Sequence, residues 1–142
     1  VARAARVPPA DPCSCRRAGS AHGCASAAAG RYSAEGASSC SDCEAGKFAA
    51  ETGRADCAPA EAGHYVAEEG AAEQIQCAAG TYASGQGSST CTTANAGSFV
   101  KDQGANKEEK CAKGTFSSAP GSKGCTDCPK GEFTNEVGRS SC

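Results

Sequence analysis

The sequence predicts a small disulfide-rich fold, mostly irregular with short β-hairpins, drawn out into an elongated linear array of about seven 17-residue repeats with no central hydrophobic core. Three observations carry this reading. Twelve of the 142 residues are Cys, an even number at a density that marks disulfide scaffolds made in an oxidising compartment. Bulky apolar side chains are scarce: five Val, one Ile and four Phe, with no Leu, Met or Trp. Glycines and aromatics recur at a fixed step, the sequence signature of a repeat architecture. The apolar share of 39% is mostly Ala and Cys, and Ala removes little area from water on burial. Composition therefore excludes an ordinary α/β enzyme, a helical bundle and a membrane span.

The chain opens with a lead, residues 1–23, rich in Pro, Arg and Ala and carrying Cys13 and Cys15. Pro8, Pro9 and Pro12 favour an extended segment there. Residues 24–142 hold the tandem repeats. The net charge of −2 is unevenly spread, with residues 1–31 basic, residues 32–100 acidic and residues 101–142 nearly balanced. A basic head and an acidic middle favour head-to-tail contact between copies, weakened by salt. The arginines are few and lack interleaved aromatics, so nucleic acid is not an expected partner.

Each repeat is led by a glycine, at Gly30, Gly46, Gly63, Gly80, Gly97, Gly114 and Gly131, and reads G-x-[FY]-x4-G, the first unit being one residue short. All seven aromatics fall at the same place: Tyr32, Phe48, Tyr65, Tyr82, Phe99, Phe116 and Phe133. Two glycines per unit mark two tight turns and leave room for strands of only a few residues. Helices are not expected, because the glycines leave no uninterrupted length for them. The aromatic, as the one large side chain of a unit, is expected to form a mini-core against a disulfide and the next aromatic.

With the leading Gly as position 0, a complete unit has Cys at positions −3 and +11. Four units have both: Cys43 with Cys57, Cys77 with Cys91, Cys111 with Cys125, and Cys128 with Cys142. The Gly63 and Gly97 units have neither, since Ala60 and Gln74 stand there in one and Ala94 and Glu108 in the other. Joint loss within a unit is what bonded partners predict, because losing one would strand a thiol. Four intra-unit bridges follow, with a larger 34-residue repeat and with the unstapled units held by their flanks. Cys13, Cys15, Cys24 and Cys40 remain, and four cysteines admit three connectivities. Pairing Cys24 with Cys40 leaves Cys13 to bond Cys15 across one residue, a strained geometry. The interleaved arrangement, Cys13 with Cys24 and Cys15 with Cys40, is the preferred expectation.

These residues carry a resemblance. The run Cys125-x2-Cys128-Pro129-Lys130-Gly131-x-Phe133-x4-Gly138-x3-Cys142, and less closely Cys40 to Cys57, resembles the ephrin-receptor-like cysteine-rich repeat, itself akin in appearance to TNF-receptor and EGF-like modules. The resemblance covers residues 24–142, with departures at the missing cysteines and at Pro, which only the last unit keeps. It implies a secreted, extracellular or cell-surface protein without catalytic function: a structural rod, filament, fibril, cell-coat or appendage component able to assemble head to tail. Its expected partners are copies of itself or other extracellular matrix and coat proteins. The alternative is a ligand-binding or adhesive ectodomain module of a cell-surface receptor.

No catalytic, cofactor or metal site is expected. The Cys40/Cys43 and Cys125/Cys128 pairs sit in the repeat frame without the His spacing or βαβ context that zinc or thiol redox chemistry needs. Calcium at Asp42 and Asp127 is a weaker reading than solvated surface. His22 and His64 are isolated, and no N-x-[ST] sequon occurs. Ser and Thr cluster at the turns, as at Ser88-Ser89-Thr90, which leaves room for O-linked glycans; Pro8 and Pro9 are candidates for hydroxylation. The frame places the next Cys at 145, past Cys142, so the sequence is expected to be a segment of a longer array or a protomer completed by its neighbour.

Overall fold

The turn at the head of each unit is fixed by its leading glycine. At all seven, the residue at +1 donates its N–H to the carbonyl at −2, as from Lys47 to Glu44 and from Glu132 to Pro129, and the glycine between them has φ of 79° to 92°. That combination is a type II turn, whose third residue needs a left-handed backbone and so takes Gly. The computed structural model describes residues 27–34, 37 and 39–142. The predicted bridge of Cys13 with Cys24, and the Cys15 partner expected for Cys40, fall outside these residues. Cys40 itself is disulfide-bonded.

Each of the first six turns launches a two-residue strand that returns as a hairpin, ten residues later in the first unit and eleven in the others. The pairs are β1 (Arg31–Tyr32) with β2 (Ser41–Asp42), β3 (Lys47–Phe48) with β4 (Ala58–Pro59), β5 (His64–Tyr65) with β6 (Ile75–Gln76), β7 (Thr81–Tyr82) with β8 (Thr92–Thr93), β9 (Ser98–Phe99) with β10 (Glu109–Lys110), and β11 (Thr115–Phe116) with β12 (Thr126–Asp127). All six are antiparallel, and the aromatic always faces the first residue of the returning strand, as Tyr65 faces Ile75. No helix forms among the described residues. The seventh unit keeps its turn but has no paired strand, and Phe133 is 77% exposed.

Hairpins this short are marginal alone, and what joins them is backbone. Each of the six junctions between successive units carries the same four hydrogen bonds, of 2.7 to 3.2 Å. Between the Gly46 and Gly63 units, the Gly46 N–H donates to Val66, the Ala49 N–H to Ala71, the Ala60 N–H to Gly46 and the Gly70 N–H to Cys43. The contact reaches one unit further. A Cβ built on Gly46 would overlap the Gly87 carbonyl, one on Gly63 the Gly104 carbonyl, and one on Gly80 the Gly121 carbonyl, so each of the five leading glycines from Gly30 to Gly97 lies against the second glycine of the unit after next. Alternate units therefore stack, which gives the 34-residue recurrence a structural basis. The result is a linear array of the kind in which each unit borrows its stability from neighbours.

The interior differs from the expected mini-core. The aromatics of the first six units are only half-buried, while full burial falls on small residues at two frame positions. Position −3 holds Ala27, Cys43, Ala60, Cys77, Ala94 and Cys111, all 0% exposed, and position +3 holds Ser33, Ala49, Val66, Ala83, Val100, Ser117 and Thr134. Backbones this close to one another leave no space for a ring between them. The two positions also trade bulk. Among the internal units, those with Cys at −3 have Ala or Ser at +3 and the two with Ala at −3 have Val at +3; the first unit, with Ala27 and Ser33, lies outside this trade.

Candidate functional site

The chemically distinctive feature of the array is the closure that ties position −3 or −2 to position +11 in the six units led by Gly46 to Gly131. Four closures are covalent: Cys43–Cys57, Cys77–Cys91, Cys111–Cys125 and Cys128–Cys142, each spanning 14 residues with Cα atoms 5.7 to 5.8 Å apart. Among the described residues no cysteine is free. A separation of this size constrains the unfolded chain by about 3 kcal/mol per bridge in the chain-entropy account.

The two units without cysteines are closed as well, by hydrogen bonds. In the Gly63 unit the Glu61 N–H donates to Gln74 Oε1 at 2.7 Å, and Gln74 Nε2 donates to Glu61 Oε2 at 3.2 Å. In the Gly97 unit the Asn95 N–H donates to Glu108 Oε2 at 2.7 Å, and Asn95 Nδ2 donates to both Glu108 oxygens at 3.2 Å. Amide and carboxylate have exchanged places between the two clasps, yet the short bond from the backbone N–H at −2 is kept. Gln74 and Glu108 are thus working residues that the sequence displays only as missing cysteines. Their signal was present: in both units a side chain with a carbonyl or carboxylate oxygen stands at +11, paired with an amide or carboxylate partner at −2.

Glu108 carries a pH dependence that Gln74 lacks. The Asn95 backbone N–H holds its carboxyl below the ordinary carboxylate range; burial opposes this, and the Asn95 and Ser98 side chains and the Lys110 charge reinforce it. A carboxyl that is a stronger acid folded than unfolded contributes its stability above the unfolded-state pKa and loses it as pH falls through the folded value. Acid is therefore expected to loosen the Gly97 unit before the Gly63 unit. Amide hydrogen exchange followed from pH 7 down to about 3 reads this directly, and Glu108→Gln is expected to remove the difference between the two units.

The other predicted site residues are dispersed. The aromatics lie one per hairpin at half-buried positions along the array. Asp42 is not set aside for a cation: Arg31 Nε pairs with its Oδ1 at 2.6 Å on the exposed face of the first hairpin. Asp127 is exposed on β12. No group of three or more His, Cys, Asp or Glu side chains suited to a metal is formed among the described residues. A shallow depression of about 200 Å³ lies between Tyr32, Glu44, Lys47, Asp56 and Cys57. No helix among the described residues is long and apolar enough to cross a membrane.

Compared with protein-family models and with curated proteins, the chain matches none.

Proposed function

We propose that this chain is a non-catalytic structural element of an extracellular assembly, a rod whose surface and length are its function. The observation that carries the reading is the unbroken backbone ladder: the same four hydrogen bonds at each of six junctions convert seven weak units into one continuous element. Four disulfides in tandem support an oxidising, extracellular setting. The repeat frame and its likeness to the ephrin-receptor-like module support the same class of role. Copies of the chain, or other matrix and coat proteins, are its partners in this reading, and exposed hydroxyls such as those of Thr92 and Thr93 offer places for O-linked sugars.

The test is the state of the native material. Light scattering coupled to size exclusion, together with electron microscopy, is expected to find fibrous or polymeric particles with a uniform axial repeat. A compact monomer that binds one partner saturably would instead make the chain a receptor or adhesin module.

A further inference from the structure

The two kinds of closure differ in what they permit when the array is pulled along its axis. A disulfide shortens the load path, because force passes through the sulfurs and the 14-residue loop beside them cannot lengthen. From Cys43 to Cys142 the path crosses four bridges, each with its Cα atoms no more than 5.8 Å apart. Between the bridges, two stretches of equal length are left unlocked: the twenty peptide steps from Cys57 to Cys77 and the twenty from Cys91 to Cys111. Each contains one whole unit without cysteines, closed by the Gln74 clasp in one and the Glu108 clasp in the other. The third inter-bridge stretch, Cys125 to Cys128, is too short to yield.

We propose that the array is a length-limited extensible tether, in which the Gly63 and Gly97 units open under load while the bridged units between and around them stay closed. The junctions cannot make this distinction, because every one carries the same four backbone bonds. Apart from the bulk traded between −3 and +3, the closure is what differs between these units, and it decides whether the loop beside it can lengthen. Opening either unit breaks the bonds of its two junctions, its hairpin pairing and its clasp, all of them noncovalent and each able to reform when the load is removed. Each opened stretch reaches about 70 Å at full extension. With all four bridges intact, the span from Cys43 to Cys142 is limited to about 170 Å, against about 340 Å for the same residues without them. The alternation thus gives a compliant element with a hard stop, set by where Cys is kept and where it is replaced.

The proposal extends the structural reading above, but its test does not depend on which partner the chain has. The oxidised chain, fused to handles at its ends, is stretched singly in a force-clamp or optical trap. Two reversible extension steps of similar size are expected within the array, and any lengthening of the residues before Cys43 is common to all variants. Ala94→Cys with Glu108→Cys restaples the Gly97 unit and is expected to delete one step. Ala60→Cys with Gln74→Cys is expected to delete the other, so a folding failure in one variant leaves the second decisive. Reduction is expected to about double the greatest length reached between Cys43 and Cys142, in line with the extended-chain limits. Two steps surviving in a variant shown by mass to carry the added bridge would overturn the proposal, as would a gradual extension without steps. Stepwise extension from a chain whose native particles are monomeric would leave the tether standing and remove the rod.

Discussion

Gly63→Ala is expected to cost about 3 kcal/mol net, from a left-handed backbone penalty of about 1–2 kcal/mol and an overpacking cost of about 1–3 kcal/mol, less the gain from a stiffer unfolded chain. Gly63 has φ of 84°, and a Cβ there would overlap the Gly104 carbonyl oxygen and lie 2.7 Å from its carbon. Neither side can withdraw. The Gly63 N–H is bonded to Ala83 and its carbonyl to Cys77, while the Gly104 N–H is held by the Cys77 carbonyl. The same substitution at Gly114 isolates the first cost, for φ is 79° but no atom lies within 4 Å of the added carbon. Gly114→Ala is therefore expected to lose only about 1–2 kcal/mol, reduced as at Gly63 by the stiffening of the unfolded chain, about 0.4–1 kcal/mol. Urea denaturation of the oxidised protein measures the two side by side. Equal losses at Gly63 and Gly114 would mean that the stacking of alternate units contributes nothing to stability.

The frame of glycines and aromatics was plain in the sequence, and with it the hairpins, because a turn that needs positive φ leaves a glycine that cannot drift. The cysteine pairs were plain for a different reason: Ala60 with Gln74 and Ala94 with Glu108 lose their sulfur together. Contact between a unit and the one after next was far less visible. A 17-residue period has the same appearance whether units meet one neighbour or two, and only the 34-residue spacing of the unstapled units bore a trace of it. Bulk is not the mark of burial in this array. Ala and Cys at −3, and Ser, Ala, Val and Thr at +3, carry little bulk, yet the close backbone approach buries them and leaves the rings half in water. Position-by-position size, uniformly small at −3, was the readable sign.

Removing the Cys77–Cys91 bridge as a pair, Cys77→Ser with Cys91→Ser, is expected to destabilise the protein by about 3 kcal/mol from the 14-residue loop alone. The Cys128–Cys142 bridge closes a loop of equal length, so the chain-entropy account gives its removal the same cost. Their surroundings separate them. Cys77 is fully buried, and its replacement brings a hydroxyl into a site closed to water, whereas Cys142 is exposed. A loss at the inner pair larger by about 1–3 kcal/mol would report the desolvated hydroxyl; equal losses would leave loop entropy as the whole effect. The structure supplies its own rescue. Unit three shows how the same turn closes without sulfur, so Cys77→Ala and Cys91→Gln, joined by Ala78→Glu and Ala83→Val, transplant the Gln74 clasp and its Val66 partner into the Gly80 unit. Two new hydrogen bonds at about 1 kcal/mol each are expected to return about 2 kcal/mol of the loss. If this fourfold variant is no more stable than the double serine variant, then Gln74 and Glu108 merely occupy vacated positions, and the Gly63 and Gly97 units owe their closure to the junctions alone.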